Sequence, residues 1–442
     1  MHKKSRTCIP TFIVILLCSA VRTRSEDVTE APAGTRPLTA TPFQLILPRE
    51  HLLGDWLTTR TWLENHGITP TLTFVTDSLG NPIGGKDQGF TTANNVGLDL
   101  SFDLEKLGVV EGGSFLFSMS YRFGGSLSAN YIHNVFTVQQ VFGGETFRVV
   151  SMAYQQKLFD DRLEFRLGRI AAGDDFLVSP YNYVFVQNGF DGNPVGIFFN
   201  SPGMTAYPND TWGALVKLRP TARTYVMGGV YNGDPSIRDN SNHGVDFSLD
   251  GPLFAIAEIA YQANSLAGDR GLPGNYKAGF WFDNSRFTDF NTGEFERGNW
   301  GFYTLFDQVL VRFGEQGSHR GLGITGSFLV SPDQSISQMP YFFTAALLTR
   351  GIFPSRPRDV IGLGVVYGHF SDDLQNFQRR AQQLDENVDV QSHETVVELT
   401  YRLALLKSAL YLQPDLQYVF RPGGTGRISD ALVLGAQVGV NF

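Results

Sequence analysis

The sequence contains only two cysteines among its 442 residues, and both lie close to its start. Cys8 and Cys18 fall inside a predicted secretory signal, so the mature chain is expected to contain no cysteine. Disulfides, thiolate metal sites and cysteine nucleophiles are therefore excluded from the mature protein. An exported chain of this size must be stabilised in another way, and an extensive closed ladder of backbone hydrogen bonds would do so.

Long apolar runs are also missing. After the signal there is no run of about 18 apolar residues, so the sequence predicts no transmembrane helix. The formal net charge is −8, and removing the signal's Lys3, Lys4 and Arg6 makes it −11. An acidic chain without a basic patch is not expected to bind nucleic acid.

Known catalytic motifs are absent as well. The chain has no Gly-x-Ser-x-Gly motif, no phosphate-binding glycine loop with lysine, and no His-Glu-x-x-His. Its eight histidines are scattered, and acidic pairs such as Asp160-Asp161 and Asp372-Asp373 are interpreted as turn and loop residues. We therefore expect no catalytic residues, no cofactor and no metal site, and the chain is not predicted to be an enzyme.

The N-terminal segment has the parts of a secretory signal. A positive stretch at Lys3 to Arg6 is followed by an apolar stretch from Ile9 to Leu17 and by small residues at Cys18-Ser19-Ala20. We predict a signal peptide at 1–20 and a flexible Thr-, Pro- and Ala-rich leader at 21–50. The remainder, 51–442, is predicted to be one domain that begins with a short helix around Leu53 to Leu63.

The last strand is the most informative part of the chain. From Leu432 to Phe442, apolar residues alternate with small or polar ones, with Val433 the only large apolar residue on the polar face, and the chain stops on an aromatic residue. A period of two predicts a strand with one apolar face and one polar face. A terminal aromatic strand is typical of bacterial outer-membrane barrels, so Phe442 is predicted to be the signal read by the outer-membrane assembly machinery.

From Ile68 onward the patterns predict only strands, about sixteen of them, many 9 to 13 residues long. Charged residues recur on one side of these strands, and aliphatic and aromatic residues recur on the other. Alternation alone fits a soluble sandwich or a membrane barrel with a wet lumen. The strand length, the even number, and the contrast between tight turns and long loops favour a transmembrane antiparallel β-barrel. The fold class is therefore predicted to be all-β.

Several short motifs occur in a specific order. They are Leu53-Gly54-Asp55-Trp56 with Arg60, Leu163 to Arg169, Gly173 to Phe176, Tyr181 to Phe185, Asn188-Gly189, Gly192-Asn193-Pro194, Tyr207-Pro208, Thr211 to Ala214, Arg219-Pro220 and Gly228 to Tyr231. Their order and spacing resemble the carbohydrate-selective porins of the OprB family, from about Leu52 to Phe442. The resemblance implies a sixteen-stranded channel in the bacterial outer membrane, a homotrimer surrounded by outer-membrane lipid. It also implies passive diffusion of glucose and related sugars, without catalysis.

A sugar-binding pore needs aromatic faces for C–H surfaces and planar charged groups for hydroxyls. Glu164 and Arg166 have the parity of lumenal residues, and the long following segment supplies Asp174 and Asp175. We predict that these four residues form the constriction. Arg169, whose direction the pattern leaves undecided, and Arg122 and Glu398 are additional candidates. The candidate aromatic residues of the segment are Phe176, Tyr181, Tyr183 and Phe185.

For each candidate a structural role remains open. Glu164 and Arg166 could be an ion pair that only lines the wall, and the loop aromatics could serve packing. The alternatives for the whole chain are a general or differently selective porin on the same barrel, an outer-membrane barrel enzyme, and a secreted β-rich binding protein.

Overall fold

Sixteen antiparallel strands form one closed barrel in the computed structural model, which describes residues 50–442 except 191–192, 267, 316–317 and 407–408. The predicted signal peptide and all of the predicted leader but Glu50 lie outside the described residues. Within the described part, no helix is long and apolar enough to cross a membrane.

The strands follow one another around the barrel in chain order. Their bounds are β1 Ile68–Gly85, β2 Phe90–Asp103, β3 Gly113–Gly124, β4 Thr146–Leu158, β5 Leu163–Ile170, β6 Thr211–Thr221, β7 Thr224–Asn232, β8 Leu253–Ala263, β9 Gly274–Thr288, β10 Phe295–Arg312, β11 Gly321–Val330, β12 Tyr341–Arg350, β13 Val360–His369, β14 His393–Leu405, β15 Leu410–Phe420 and β16 Ser429–Asn441.

Closure comes from the pairing of the first strand with the last. β1 pairs with both β2 and β16, and the β1–β16 register places Phe74 opposite Val440 and Gly80 opposite Leu434. An even number of antiparallel strands leaves no free edge, so each strand is paired on both sides. The predicted sixteen-stranded all-β barrel is confirmed.

The two faces of the wall are the reverse of those in a soluble sandwich. On β16, Leu434 points outward and is 44% exposed, whereas Gln437 points inward and is 1% exposed. Gln437 donates from Nε2 to Asp77 at 2.8 Å and accepts from the Tyr411 hydroxyl at 2.6 Å. Apolar side chains therefore cover the outside, while polar side chains bond to one another inside the barrel.

Two α-helices accompany the strands in the described part of the chain: α1 at Thr59–Asn65 and α2 at Asp372–Gln382. The predicted N-terminal helix is shorter than expected, because Trp56, Leu57 and Thr58 have positive φ angles and cannot extend it. The prediction that only strands follow Ile68 was wrong at α2. Ser371 caps that helix by accepting from the N–H groups of Asp373 and Leu374.

Shorter helical turns lie in the loops. They are a π-helical turn at Ser128–Ile132 and 3₁₀ turns at Ala172–Asp174, Asn182–Val184, Val195–Phe199, Pro235–Arg238, Asn240–Asn242 and Pro422–Gly424. These turns follow odd-numbered strands, at the barrel end opposite the chain terminus, whereas Leu406, also in a helical turn, follows β14 at the other end. The long connections 125–145, 171–210, 233–252 and 370–392 lie at this end, whereas several turns at the other end are short.

Candidate pore constriction

The connection between β5 and β6, described at residues 171–190 and 193–210, folds into the barrel and contacts the inner wall on several sides. Leu177 lies against β8, Ser179 against β10, and Val186 against β14. Gly203 then contacts β9, and Tyr207 lies beneath Arg122 of β3. We call residues 171–210 the lumenal loop. It brings polar groups into the interior of the barrel.

Carboxylates of the wall hold the lumenal loop by accepting hydrogen bonds from its backbone N–H groups. Glu258 accepts from Leu177 at 3.0 Å, and Asp283 accepts from Gly203 at 2.8 Å. Glu398, a predicted sugar ligand, accepts from Val186 at 2.7 Å and Gln187 at 3.2 Å, and it is fully buried. Glu398 therefore anchors the lumenal loop to the wall through the loop's backbone.

The connection between β3 and β4, residues 125–145, is held in the same way. Asp77 accepts from the N–H of Val141 at 3.2 Å. Glu394 accepts from the N–H groups of Val135 and Phe136, and from Gly423 in the β15–β16 connection at 2.7 Å. A carboxylate that accepts several N–H groups satisfies donors that would otherwise be buried without partners.

Glycines on β13 provide a flat surface for aromatic residues of the lumenal loop. The inner face of this strand consists of Gly362, Gly364, Val366 and Gly368. The rings of Phe185 and Phe190 stack 4.2 Å apart, and a Cβ on Gly364 would lie 2.8 Å from Phe185 and 2.7 Å from Phe190. Only glycine allows the loop to lie this close to the wall.

Most of the predicted aromatic candidates are packed away from solvent. Phe176 is 0% exposed, and Tyr183 and Phe185 are each 1% exposed. Tyr181 is half-buried, with its hydroxyl close to Gly323 of β11. The sequence left open whether these aromatic residues bind sugar or serve packing. For Phe176, Tyr183 and Phe185, the contacts favour packing.

The charged candidates Glu164, Arg166 and Asp175 lie together. Both wall residues point inward from β5, and the Arg166 guanidinium contacts Asp175 of the lumenal loop at 2.9 Å. Its second terminal nitrogen is 3.8 Å from Glu164 Oε1. The guanidinium thus joins the wall to the loop, as expected for a planar donor that can face two carboxylates.

Two further carboxylates lie beside this group. Asp174 belongs to the lumenal loop, and Asp210 lies at the loop's end, directly before β6. Burial raises the pKa of Asp174 well above its ordinary value, and the nearby Asp210 and Asp175 carboxylates shift it in the same direction. Burial also raises the pKa of Asp210, against the hydrogen bond that the Ser151 hydroxyl donates to it at 2.5 Å.

Several acceptor atoms of this group have no donor in the described protein. Asp174 Oδ1 and Asp210 Oδ1 are buried without a hydrogen-bond partner, and the Tyr231 hydroxyl is also unpartnered. We call Glu164, Arg166, Asp174, Asp175, Asp210 and Tyr231 the acidic cluster. Sequence reasoning missed Asp210 and Tyr231, although the alternation of β7 puts Tyr231 on the lumenal face.

The remaining arginine candidates have other contacts. Arg169 donates to the main-chain oxygens of Asp210 and Asp246, each at 2.8 Å, and is 1% exposed. It therefore ties two loops together near the outer end of β5. The Arg122 guanidinium lies 5.5 Å from the centre of the Tyr207 ring and 3.4 Å from the Phe142 oxygen.

No group of three or more His, Asp or Glu side chains among the described residues is arranged to hold a metal ion. The acidic cluster is therefore considered as a hydrogen-bonding surface: one guanidinium donor, four carboxyl groups and a phenol.

Comparison with known proteins gives consistent results. The family profile described as "Carbohydrate-selective porin, OprB family" matches residues 87–442. Porin B of Pseudomonas aeruginosa is 27% identical over 420 residues, which cover 88% of this chain and 91% of that protein. The high-pH structure of Pseudomonas putida OprB has a TM-score of 0.82 and 27% identity, and covers 90% of this chain and 99% of that one. Its low-pH structure, at 23% identity, has a TM-score of 0.57 and is similar in fold.

Proposed function

We propose, on the premise that the chain belongs to the OprB family of carbohydrate-selective porins, that the acidic cluster is its sugar-selective constriction. The chain is an outer-membrane channel for carbohydrates and not an enzyme, as its family and its barrel show. The single observation that supports the constriction is the contact of Arg166 with Asp175, beside carboxylate oxygens that lack donors.

The chemistry of the acidic cluster suits a polyol. A sugar offers many hydroxyl donors, and the carboxyl groups of Asp174 and Asp175, which are partly exposed, can accept hydrogen bonds from them. Arg166 can donate in return to a ring or hydroxyl oxygen. A hydroxyl can both donate and accept, so neighbouring hydroxyls could bond to a carboxylate and to the guanidinium at once.

We propose glucose and related neutral sugars as the permeants, which diffuse passively down their gradient. Neutral sugars are favoured because an anionic solute would meet the Glu164 and Asp175 carboxyl groups beside a single guanidinium. This passive diffusion requires no energy source and no gate that opens or closes.

Two further proposals concern the assembly of the barrel. We propose that Phe442 is the residue recognised by the outer-membrane assembly machinery, since it ends the strand that closes the barrel and leaves an aromatic residue at the chain terminus. We also propose a homotrimer, on the family resemblance. The size of the undenatured complex in mild detergent, measured by light scattering, tests the trimer.

Current block in a planar bilayer tests the function. The wild-type channel should show concentration-dependent reduction of ion current by glucose or a related sugar. A second candidate, a general porin on the same barrel, would conduct ions without block by any simple sugar. Block by a sugar and its loss in variants of the acidic cluster would together support the constriction.

A further inference from the structure

Two arginines lie directly opposite each other on neighbouring strands near the outer end of the barrel. Arg286 of β9 and Arg297 of β10 are paired in the β-ladder, and both side chains are exposed. Like charges directly opposite each other repel and destabilise a strand pair. An anion that lies between or above the two guanidinium groups would offset this repulsion.

Both side chains face the outside of the barrel. Asp283 points inward, because it binds Ser201 and Gly203 of the lumenal loop, and Ser285 points inward with it, because its hydroxyl donates to Asp283. Alternation then directs Arg286 outward, and Phe287 after it is buried. Residues directly opposite each other share a face, so Arg297 is also directed outward.

No carboxylate of the described protein neutralises these arginines. Neither has an ion pair within 4.0 Å or a side-chain hydrogen bond among the described residues. Glu296 is next to Arg297 in sequence but lies opposite Phe287, one position further along the ladder and on the other face. An unpaired double positive charge on the outer wall is thus available to an external anion.

An aromatic cluster on the outer face indicates how deep the two arginines lie in the membrane. The rings of Phe280, Trp300 and Phe302 lie on the outer face with centroids 5.3 to 6.2 Å apart, as in an interfacial aromatic belt. Arg297 is three residues beyond Trp300 toward the outer end, which is about 10 Å along the strand. Because the strands tilt by about 40°, the height gain is about 7–8 Å, close to the thickness of the headgroup layer.

From this geometry we propose that Arg286 and Arg297 bind a phosphate group of the phosphorylated glycolipid in the outer leaflet. This lipid contact depends on barrel orientation and outer-membrane location, and not on which sugar passes the pore. Arginine presents a planar fork that matches phosphate oxygens, and two forks on adjacent strands can clamp one phosphate from both sides. The clamp would fix the lipid to the wall above the aromatic belt.

The test uses purified, delipidated barrel in detergent and two probes: diphosphorylated lipid A and the same lipid after removal of its phosphates. The principal variant is Arg286→Gln with Arg297→Gln, and Arg162→Gln is the matched control, an exposed arginine in the turn at the opposite end. Binding is measured by native mass spectrometry, and folding by the change in gel mobility on boiling.

We expect the double variant to bind diphosphorylated lipid A on the order of tenfold more weakly than wild type, and the control to be unchanged. Dephosphorylated lipid should bind all three proteins alike, which separates phosphate recognition from contact with acyl chains. Equal lipid A affinity in wild type and double variant would overturn the proposal, as would equal weakening by Arg162→Gln.

Heat stability is a second measurement, and it remains informative if the double variant folds in a different yield from wild type. Without lipid, the double variant should be slightly more heat-stable than wild type, because the repulsion between the two arginines is gone. With diphosphorylated lipid A the order should reverse, since only wild type gains from binding. A variant that is less stable without lipid and shows no such reversal would contradict the clamp.

Discussion

Arg60 of the N-terminal segment donates from its guanidinium to the main-chain oxygen of Phe442 at 2.5 Å, across 382 positions of sequence. The same oxygen lies 3.1 Å from Nδ1 of His51, whose Nε2 is 2.7 Å from Arg60. Burial first, and the Arg60 charge second, lower the pKa of His51. A neutral ring can donate from Nδ1 and accept at Nε2, so the three residues form a latch at the end of β16.

The latch predicts separate effects for two changes at the closing strand. Arg60→Ala should leave assembly intact but lower the stability of the assembled barrel by about 1.5–3 kcal/mol, the range for a hydrogen bond with a charged group. Deleting Phe442 should impair assembly itself and leave protease-sensitive chain in the periplasm. Protease sensitivity reports assembly, and the temperature of the gel-mobility shift reports stability. Normal assembly of the truncated protein would refute the role given to the terminal aromatic residue.

The orientation of β16 predicts unequal costs for the same charge on its two faces. Leu434 is near the middle of the strand and faces lipid, so Leu434→Arg should cost about 2–4 kcal/mol of barrel stability. Gln437→Arg should cost less, because the new guanidinium faces the lumen beside Asp77. Urea unfolding in lipid vesicles measures both. Equal costs would mean that the faces are assigned wrongly.

Sequence patterns could predict the wall because a period of two is a local property. The alternation within each strand indicates which of its faces is apolar, so the sixteen strands can be recognised without information about distant residues. For β10 the alternation predicts a start near Trp300 instead of Phe295, because the ladder shifts register between Arg297 and Asn299 and the alternation breaks there. Helix α2 was missed because a helix within a loop leaves the strand pattern on either side intact.

The interior was only partly predictable because its contacts join distant positions. Arg166 and Asp175 are nine residues apart, and their association could be proposed from the strand and the loop that follows it. Glu398 and Val186 are 212 residues apart, and nothing local distinguishes a carboxylate that anchors a loop from one that faces a solute. The Gly-x-Gly pattern at Gly362 and Gly364 was a usable signal for close packing against the wall.

The anchoring contacts of Glu398 predict a looser lumenal loop when they are removed. Glu398→Ala deletes the acceptors for Val186 and Gln187, each worth about 1.5–3 kcal/mol if left unreplaced. The open channel should become noisier, and the loop should be cleaved faster by added protease. Leu399→Ala, a truncation on the lipid face of the same strand, is the control. Quiet, protease-resistant channels in Glu398→Ala would show that other contacts hold the loop.

The raised pKa of Asp174 predicts a pH dependence with a definite sign. Its pKa is higher in the folded protein than in the unfolded chain, so its contribution favours folding at low pH and is lost as the pH rises through the folded value. Asp174→Asn removes the charge at every pH. At neutral pH the variant should be more heat-stable than wild type, and the difference should shrink on acidification. A constant difference across the range would assign the effect to something other than titration.

The contact of Arg166 with Asp175 predicts the sharpest change in sugar recognition. Arg166→Ala removes a two-pronged donor and leaves Glu164 and Asp175 without their shared cation, so the constriction should widen and sugar affinity should fall on the order of tenfold. Arg166→Lys keeps the charge but loses the fork, so it should lie between Ala and wild type. Sugar-dependent current block in a bilayer measures the affinity, and Arg162→Ala in a remote turn is the control. If wild type is blocked by a sugar and Arg166→Ala is blocked equally well, the selective contact lies elsewhere on the wall.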